Sequence, residues 1–297
     1  MAIPVLVIGQ SGTGKSYSMK NFNEEEICLI SVQKPLLPFR KKFSETVVTD
    51  KYSDIISTMK STKKKVIVID DTQYLMCNEF MRRATEKGYD KFTEIAQNFW
   101  SLVVQEINSL PDDTIVYLLC HTATDENGVE KMKTIGKLVD EKITPEGLFT
   151  IVLKTAVSDG NYAFVTQNNG KDTVKSPEGM FTTYAINNDL KYVDEKIRNY
   201  YELGESYLSD EEIAERDEEA KNTEIEKPVS RSERRQRRES QAEPERKQRK
   251  SREQVHAEND VKVANAGLEE AGDAEEVPYE EVKEPQLETP PRRRRRG

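Results

Sequence analysis

Histidine and cysteine are scarce in this 297-residue chain: there are two histidines, His121 and His256, and three cysteines, Cys28, Cys77 and Cys120. A zinc site built from His and Cys ligands is therefore not expected. The cysteines are far apart, with no C-x-x-C spacing. Cys28 and Cys120 fall inside apolar runs, so they read as buried free thiols suited to a reducing cytoplasm. No apolar run approaches the ~18 residues that a membrane span needs. No basic N-terminal region leads into an apolar stretch, so no signal peptide is expected either. These absences predict a cytoplasmic protein without membrane association.

Apolar residues also thin out along the chain. After Tyr207 the only aromatic residue is Tyr279. From Leu208 onward the charge comes in blocks: acidic to Glu226, basic over 227–252, acidic to Glu288, and basic over 292–296. Such a segment buries too little apolar surface to offset the entropy of ordering it, so 208–297 is expected to be a disordered charged tail. Its basic blocks could neutralise phosphates of a nucleic acid. Without stacking aromatics, recognition of particular bases by the tail is not expected. The net charge of −9 shows that the chain as a whole is not a basic protein.

What is present is concentrated in residues 1–207, the expected folded domain. Gly9-Gln10-Ser11-Gly12-Thr13-Gly14-Lys15-Ser16 has the pattern G-x-x-x-x-G-K-[ST] of a phosphate-binding loop, or P-loop. Its glycines let backbone N–H groups turn toward a polyphosphate. Lys15 can reach the β- and γ-phosphates, and the Ser16 hydroxyl can ligate Mg²⁺. The apolar run Pro4–Ile8 reads as a buried strand leading in, and Ser16–Phe22 as the start of the helix leading out, whose N-terminal end favours anions. With Tyr17 next in the chain, residues 9 to 17 form the candidate nucleotide-binding set.

A second signal follows at Val66-Ile67-Val68-Ile69-Asp70-Asp71, a β-branched strand ending in paired acids, which is the Walker B pattern. A buried strand of this kind delivers a carboxylate to the metal opposite the loop. Asp70 is the candidate metal-side carboxylate, with Ser16, and Asp71 the candidate for polarising the attacking water. Thr114–Cys120 reads as a further core strand, ending in His121-Thr122. Ligands of doubly wound sheets sit at the carboxyl ends of strands, so His121 or Thr122 could sense a γ-phosphate; a structural histidine is the alternative. Lys15, Asp71 and His121 are thus the candidate catalytic residues.

The remaining elements fit an α/β frame. Ile27–Val32 and Thr46–Val48 read as strands, Ser53–Met59 as a helix capped by Ser53, and the two prolines of Lys34–Phe39 as a break. Asn78–Tyr89 is polar and reads as a loop or helix. Asp90–Leu110 reads as one amphipathic helix. Phe149–Leu153 and Tyr162–Val165 read as strands flanking a turn at Ser158-Asp159-Gly160-Asn161. Leu190–Leu203 reads as a closing helix. The sum is a three-layer α/β P-loop NTPase with a mostly parallel sheet. No guanine-reading N-K-x-D segment is evident, which favours ATP as cofactor with Mg²⁺. The stretch Gly128–Glu146 carries no arginine, which argues against a small-molecule kinase with an arginine-rich lid.

Several segments resemble phage-encoded RecA-like ATPases, the phage nucleotide-binding proteins of the AAA type: Ile3–Ser16, the Lys34-Pro-Leu-Leu-Pro-Phe segment, Val66–Asp71, Gly88-Tyr89-Asp90 ahead of a long helix, and Leu118-Leu-Cys-His121. Some members of that family are ATP-assisted single-strand annealing proteins related to a shortened RecA core. The resemblance spans roughly residues 1 to 205 and implies a RecA-like fold. It also implies ATP hydrolysis, assembly into a ring or filament, and action on single-stranded DNA in phage recombination or replication, in the cytoplasm of the host. His121 falls where a γ-phosphate sensor is expected, and Lys171 and Lys175 where cations acting on a neighbouring subunit's nucleotide could lie. The chain departs from full RecA in lacking a separate large DNA-binding domain and an obvious glutamate after the second strand to act as base, which leaves Asp71 for that role. Another reading of the same motifs is a nucleotide-switched assembly factor, such as a helicase loader, with the tail docking a replication or recombination protein. A third is a small-molecule or nucleotide kinase.

Overall fold

A computed structural model describes residues 1–33, 36–135, 143–205 and 207–228. Its centre is a nine-stranded sheet. The strands are β1 (Ile3–Gly9), β2 (Ile27–Ser31), β3 (Glu45–Val48), β4 (Val66–Asp70), β5 (Ile115–Thr124), β6 (Glu130–Met132), β7 (Ile151–Ser158), β8 (Asn161–Val165) and β9 (Ala185–Asn187). They run in the order β3-β2-β4-β5-β1-β7-β8-β9, with β6 paired to the end of β5. From β3 to β7 every pairing is parallel; β6, β8 and β9 are antiparallel additions. The expected α/β class and mostly parallel sheet are both observed.

The central strands are apolar throughout because both faces are covered. Side chains alternate between the faces. Leu6 and Ile8 of β1, Ile67 and Ile69 of β4 and Leu118 of β5 face one side, where they meet α1 (Tyr52–Ser61), α2 (Gln73–Arg82) and α3 (Asp90–Ser101) through Ile55, Leu75 and Phe99. Val5, Val7, Val68 and Leu119 face the other side, where they meet α4 (Leu190–Tyr201) and α5 (Asp210–Ala220) through Val193, Ile197 and Ala220. Each fully buried aliphatic side chain stabilises the fold by about 1.5–3 kcal/mol, so these two layers hold the sheet edge on which the motif loops stand.

Several expectations need correction. The P-loop is followed by a six-residue 3₁₀ helix, Ser16–Asn21, in place of a regular α-helix. It stops where Phe22 turns into the core and Asn21 Nδ2 donates to Asp189 Oδ2 at 2.7 Å. Ser53 does not cap α1, which begins one residue earlier; Thr49 Oγ1 instead accepts the Lys51 N–H at 3.2 Å. The amphipathic stretch from Asp90 changes winding after Ser101. A π turn over Leu102–Glu106 and a 3₁₀ turn over Ile107–Ser109 carry the apolar stripe on, and Ile107 stays buried. The helix at Gln73–Arg82 starts earlier than the polar stretch suggested. The turn between β7 and β8 is where it was expected. Asp159 and Gly160 both have positive φ, 48° and 85°, as a two-residue type I′ hairpin requires.

The boundary expected at 207/208 also moves. Residues Met1–Pro228 form one compact unit, and α5 belongs to it. Ser209 and Glu212 form a capping box, Ile213 is buried, and Asp217 accepts hydrogen bonds from Tyr192 Oη at 2.7 Å and Lys196 Nζ at 2.5 Å. The expectation of a disordered tail from 229 onward, including the basic block 292–296 and most of 227–252, lies outside the described residues, as do Lys34, Pro35 and the stretch 136–142. Among the described residues, no helix is long and apolar enough to cross a membrane.

Candidate functional site

The strand order assembles the site. Because β5 lies between β1 and β4, its carboxyl end stands between the loop after β1 and the acids after β4. Gly9, the last residue of β1, is in register with His121, and Ser31 of β2 with Asp70 of β4. Ser11, Gly12, Gly14, Lys15, Ser16, Tyr17, Asp71 and His121 all line one cleft of about 540 Å³, joined by Leu36, Pro38 and Tyr162.

The loop Gly9–Ser16 is pinned from beneath. Thr13 Oγ1 bonds the Gln10 carbonyl at 2.7 Å and shares a hydrogen bond of 2.6 Å with Thr155 Oγ1 of β7. Gln10 Nε2 donates to Glu130 Oε1 at 3.3 Å. Glu130 in turn accepts from Lys154 Nζ at 2.8 Å, and Lys154 also bonds Asp172 at 2.9 Å. Two glycines are demanded by this packing. A Cβ on Gly9 would collide with Thr155 Oγ1. Gly14 has φ +99°, and a Cβ there would lie 2.8 Å from the Tyr162 ring.

Lys15 is 6% exposed. Its Nζ donates to the carbonyls of Gly9 at 2.9 Å and Gln10 at 2.8 Å, and lies 3.4 Å from His121 Nδ1. The lysine thus folds back over its own loop. Burial lowers its pKa, and the nearby carboxylates of Asp71 and Asp70 oppose that shift. Reaching a phosphate would exchange two neutral carbonyl acceptors for anionic oxygens.

The acids after β4 differ sharply. Asp70 is 1% exposed; its Oδ2 accepts from Ser16 Oγ at 2.8 Å and its Oδ1 from the Asp71 N–H at 3.1 Å. Burial, with the Asp71 charge alongside, pushes the Asp70 carboxyl up to about 6. Asp71 sits in the left-handed region with φ +60°, a conformation that costs a non-glycine residue free energy and that Asp tolerates better than most. The kink aims Asp71 Oδ1 at His121 Nε2, 3.4 Å away. The Lys15 ammonium can only donate, so His121 Nδ1 accepts and Nε2 carries the proton facing Asp71. Gln73 Oε1 accepts the His121 backbone N–H at 3.1 Å, and Tyr74 sets its ring edge-on to the imidazole at 6.2 Å.

Tyr17 turns outward beside the loop. Its ring lies 5.5 Å from Tyr162, and Lys20 Nζ lies 4.1 Å over its face. Lys171 and Lys175 are exposed and do not line the cleft. Their backbones tie the loop to the sheet: the Lys171 carbonyl accepts from the Glu130 N–H at 2.8 Å, and Lys175 exchanges bonds with Val152. Tyr162, Thr155, Gln73 and Asn188 belong to the site and were not singled out from the sequence. Their strands and turns give only structural signals, and their roles appear once β7, β8 and the β9–α4 turn stand beside β1.

Among the described residues no group of three or more His, Cys, Asp or Glu side chains could hold a metal alone. Ser16 and Asp70 offer a hydroxyl and a carboxylate bonded to each other, the hard oxygen donors that suit Mg²⁺ when phosphates and waters complete its shell. No protein-family model matches this chain, and no curated protein matches it in sequence.

Proposed function

We propose that this protein is a Mg²⁺-dependent ATPase of the RecA-like P-loop type that acts on single-stranded DNA. The observation that carries the proposal is the convergence, in one cleft, of Lys15, the bonded pair Ser16–Asp70 and the pair Asp71–His121. Polyphosphate fits this arrangement by chemistry. The loop after β1 provides backbone donors on a glycine-rich turn, Lys15 provides a cation, and Ser16 with Asp70 provides the metal-side oxygens. Bound magnesium would neutralise charge on the β- and γ-phosphate oxygens.

The chain's own residues account for the rest. Lys15 leaves the carbonyls of Gly9 and Gln10 and pairs with phosphate oxygens. Asp70, whose ionised form is disfavoured by burial, is held as a carboxylate once a cation stands beside it. Asp71 orients the attacking water and accepts its proton. His121, bridging Lys15 and Asp71, loses its lysine neighbour when Lys15 moves, and so registers the γ-phosphate. The single-stranded DNA part of the proposal rests on the sequence resemblance and on the basic blocks at 227–252 and 292–296. Assembly into a ring or filament rests on the same resemblance, with Lys171 and Lys175 free to face a second copy.

Steady-state ATP hydrolysis, measured with and without single-stranded DNA and with Lys15→Ala as control, tests this. Stimulation by single strands that the variant loses supports the proposal. ATP binding without stimulation would refute the DNA role and favour a nucleotide-switched factor acting on a protein partner. Transfer of the γ-phosphate to an acceptor other than water would refute hydrolysis.

A further inference from the structure

Asn188 sits in the turn between β9 and α4 and is 5% exposed. Among the described residues neither its Oδ1 nor its Nδ2 finds a hydrogen-bond partner, and both atoms are shielded from solvent. Buried amides are almost always paired, so one with both ends idle calls for a reason. The turn itself holds its backbone in place: the Asn188 N–H donates to the Tyr162 carbonyl at 3.2 Å. Next to it, Asp189 caps α4 by accepting from the Lys191 N–H at 3.0 Å and the Tyr192 N–H at 3.3 Å, and takes a further bond from Asn21. The idle amide is thus rigidly placed. It lies directly against the P-loop, with both amide atoms 3.2 Å from where a Cβ on Gly14 would stand. The Tyr162 ring closes over the same glycine and packs toward Tyr17 at 5.5 Å.

We propose that Asn188 and Tyr162, with Tyr17, form the base-recognising end of the nucleotide site, and that the base they select is adenine. The Asn amide offers an acceptor and a donor side by side, which match the N6 amino group and the adjacent ring nitrogen of adenine. The two tyrosines offer faces on which a base stacks. Guanine presents two neighbouring donors that one amide oxygen cannot both match and that call for a free carboxylate, and Asp189, next to Asn188 in the chain, is engaged by three donors. The Tyr162 ring is both cover and stacking partner: turning it away from Gly14 exposes the amide and leaves the ring beside the entering base. This inference rests on the nucleotide-binding reading above and extends it from phosphates to base.

Titration calorimetry of the full chain in Mg²⁺ with ATP, GTP and inorganic tripolyphosphate separates the two. The wild-type chain is expected to bind ATP more tightly than GTP. Asn188→Ala is expected to weaken ATP binding about tenfold and to leave tripolyphosphate binding unchanged; Tyr162→Ala is expected to weaken ATP binding in the same selective way. The thermal midpoint of ligand-free Asn188→Ala should not fall, since no hydrogen bond is lost. Should that variant not fold, Asn188→Leu, of similar volume, carries the same expectation. Equal losses for ATP and tripolyphosphate, or no loss for either, would overturn the base-recognition role while leaving the phosphate site intact. Failure of the wild-type chain to bind tripolyphosphate or ATP would overturn the nucleotide reading, and this inference with it.

Discussion

Two polar clusters of opposite character flank strand β5, one near its start and one near its end. Near its start, Tyr117 Oη donates to Asp194 Oδ1 at 3.0 Å, and Arg198 Nε donates to Asp194 Oδ2 at 2.7 Å. The rest of the Arg198 guanidinium bonds the carbonyls of Asp113 at 2.9 Å and Lys65 at 3.1 Å. Here the buried groups are paired. Near its end the opposite holds: Lys15 leans on its own loop's carbonyls, two carboxylates sit next to each other in sequence, Asp71 has a positive φ, and Gln73 Nε2 and both ends of the Asn188 amide have no partner among the described residues. Burial raises the Asp194 pKa as it does that of Asp70, but in the first cluster the fold itself supplies every partner, so removing one strands the others. In the second cluster partners are missing, and such costs gather where a ligand supplies them.

The comparison breaks if the second cluster proves to be ordinary packing. Lys15→Ala is the sharpest test. It should lower ATP turnover roughly a thousandfold, by removing the cation that meets developing phosphate charge, yet leave the ligand-free fold intact by urea unfolding. Turnover within tenfold of wild type would deny Lys15 its role. Asp194→Ala should do the reverse. It leaves the Arg198 charge and the Tyr117 hydroxyl unpaired, and should cost about 3–4 kcal/mol of unfolding free energy, while ATP affinity per folded molecule is unchanged. A loss under ~1 kcal/mol would mean that Arg198 and Tyr117 do not depend on Asp194 as their buried partner.

Asp70 sharpens the contrast through pH. Its folded pKa, about 6, is above the ordinary 3.8, so the folded chain holds this proton more tightly than the unfolded chain. Its contribution to stability is therefore greatest below about pH 4, is lost as pH rises toward 6, and stays lost above that. Asp70→Asn removes the penalty. The ligand-free variant should gain on the order of 2–3 kcal/mol at pH 7.5 and little at pH 4, while Mg²⁺-dependent hydrolysis falls. Urea midpoints at the two pH values check this; a variant no more stable than wild type at pH 7.5 would contradict it.

How far the sequence reveals this arrangement depends on how local each cause is. The strands β1 and β4 are legible because strands covered on both faces read as unbroken apolar runs, and their carboxyl ends carry Gly9 and Asp70 in recognisable patterns. The order of strands is not legible, and that order sets His121 between Lys15 and Asp71. Asn188 is silent in sequence for the same reason: its meaning comes from Gly14, a distant position in the chain. β6 and β9 have three residues each, too few for alternation to register. α5 was hidden by its own composition, since Asp210–Ala220 is mostly acidic and packs through little more than Ile213 and Ala220.

That helix gives the smallest effect and a separate check on where the folded unit ends. Beyond Ile213 and Ala220 its contacts are polar: Asp217 receives Tyr192 and Lys196, and Arg216 Nη2 pairs with Glu195 at 3.1 Å. Partly exposed pairs of this kind add little individually, so the start of the helix should depend visibly on its cap. The Ser209 side chain accepts the Glu212 N–H, and the Glu212 side chain accepts the Ser209 N–H at 2.9 Å. Ser209→Ala should therefore cost about 1 kcal/mol, seen as faster amide hydrogen exchange across 210–220 and a small fall in the urea midpoint. The two readouts separate two pictures. If α5 is part of the cooperative unit, both move together, and exchange in α4 rises with them because Tyr192 and Lys196 share Asp217. If exchange rises in α5 alone and the midpoint stays fixed, the helix opens independently, and the cooperative unit ends near residue 207, where the loss of apolar residues first placed it.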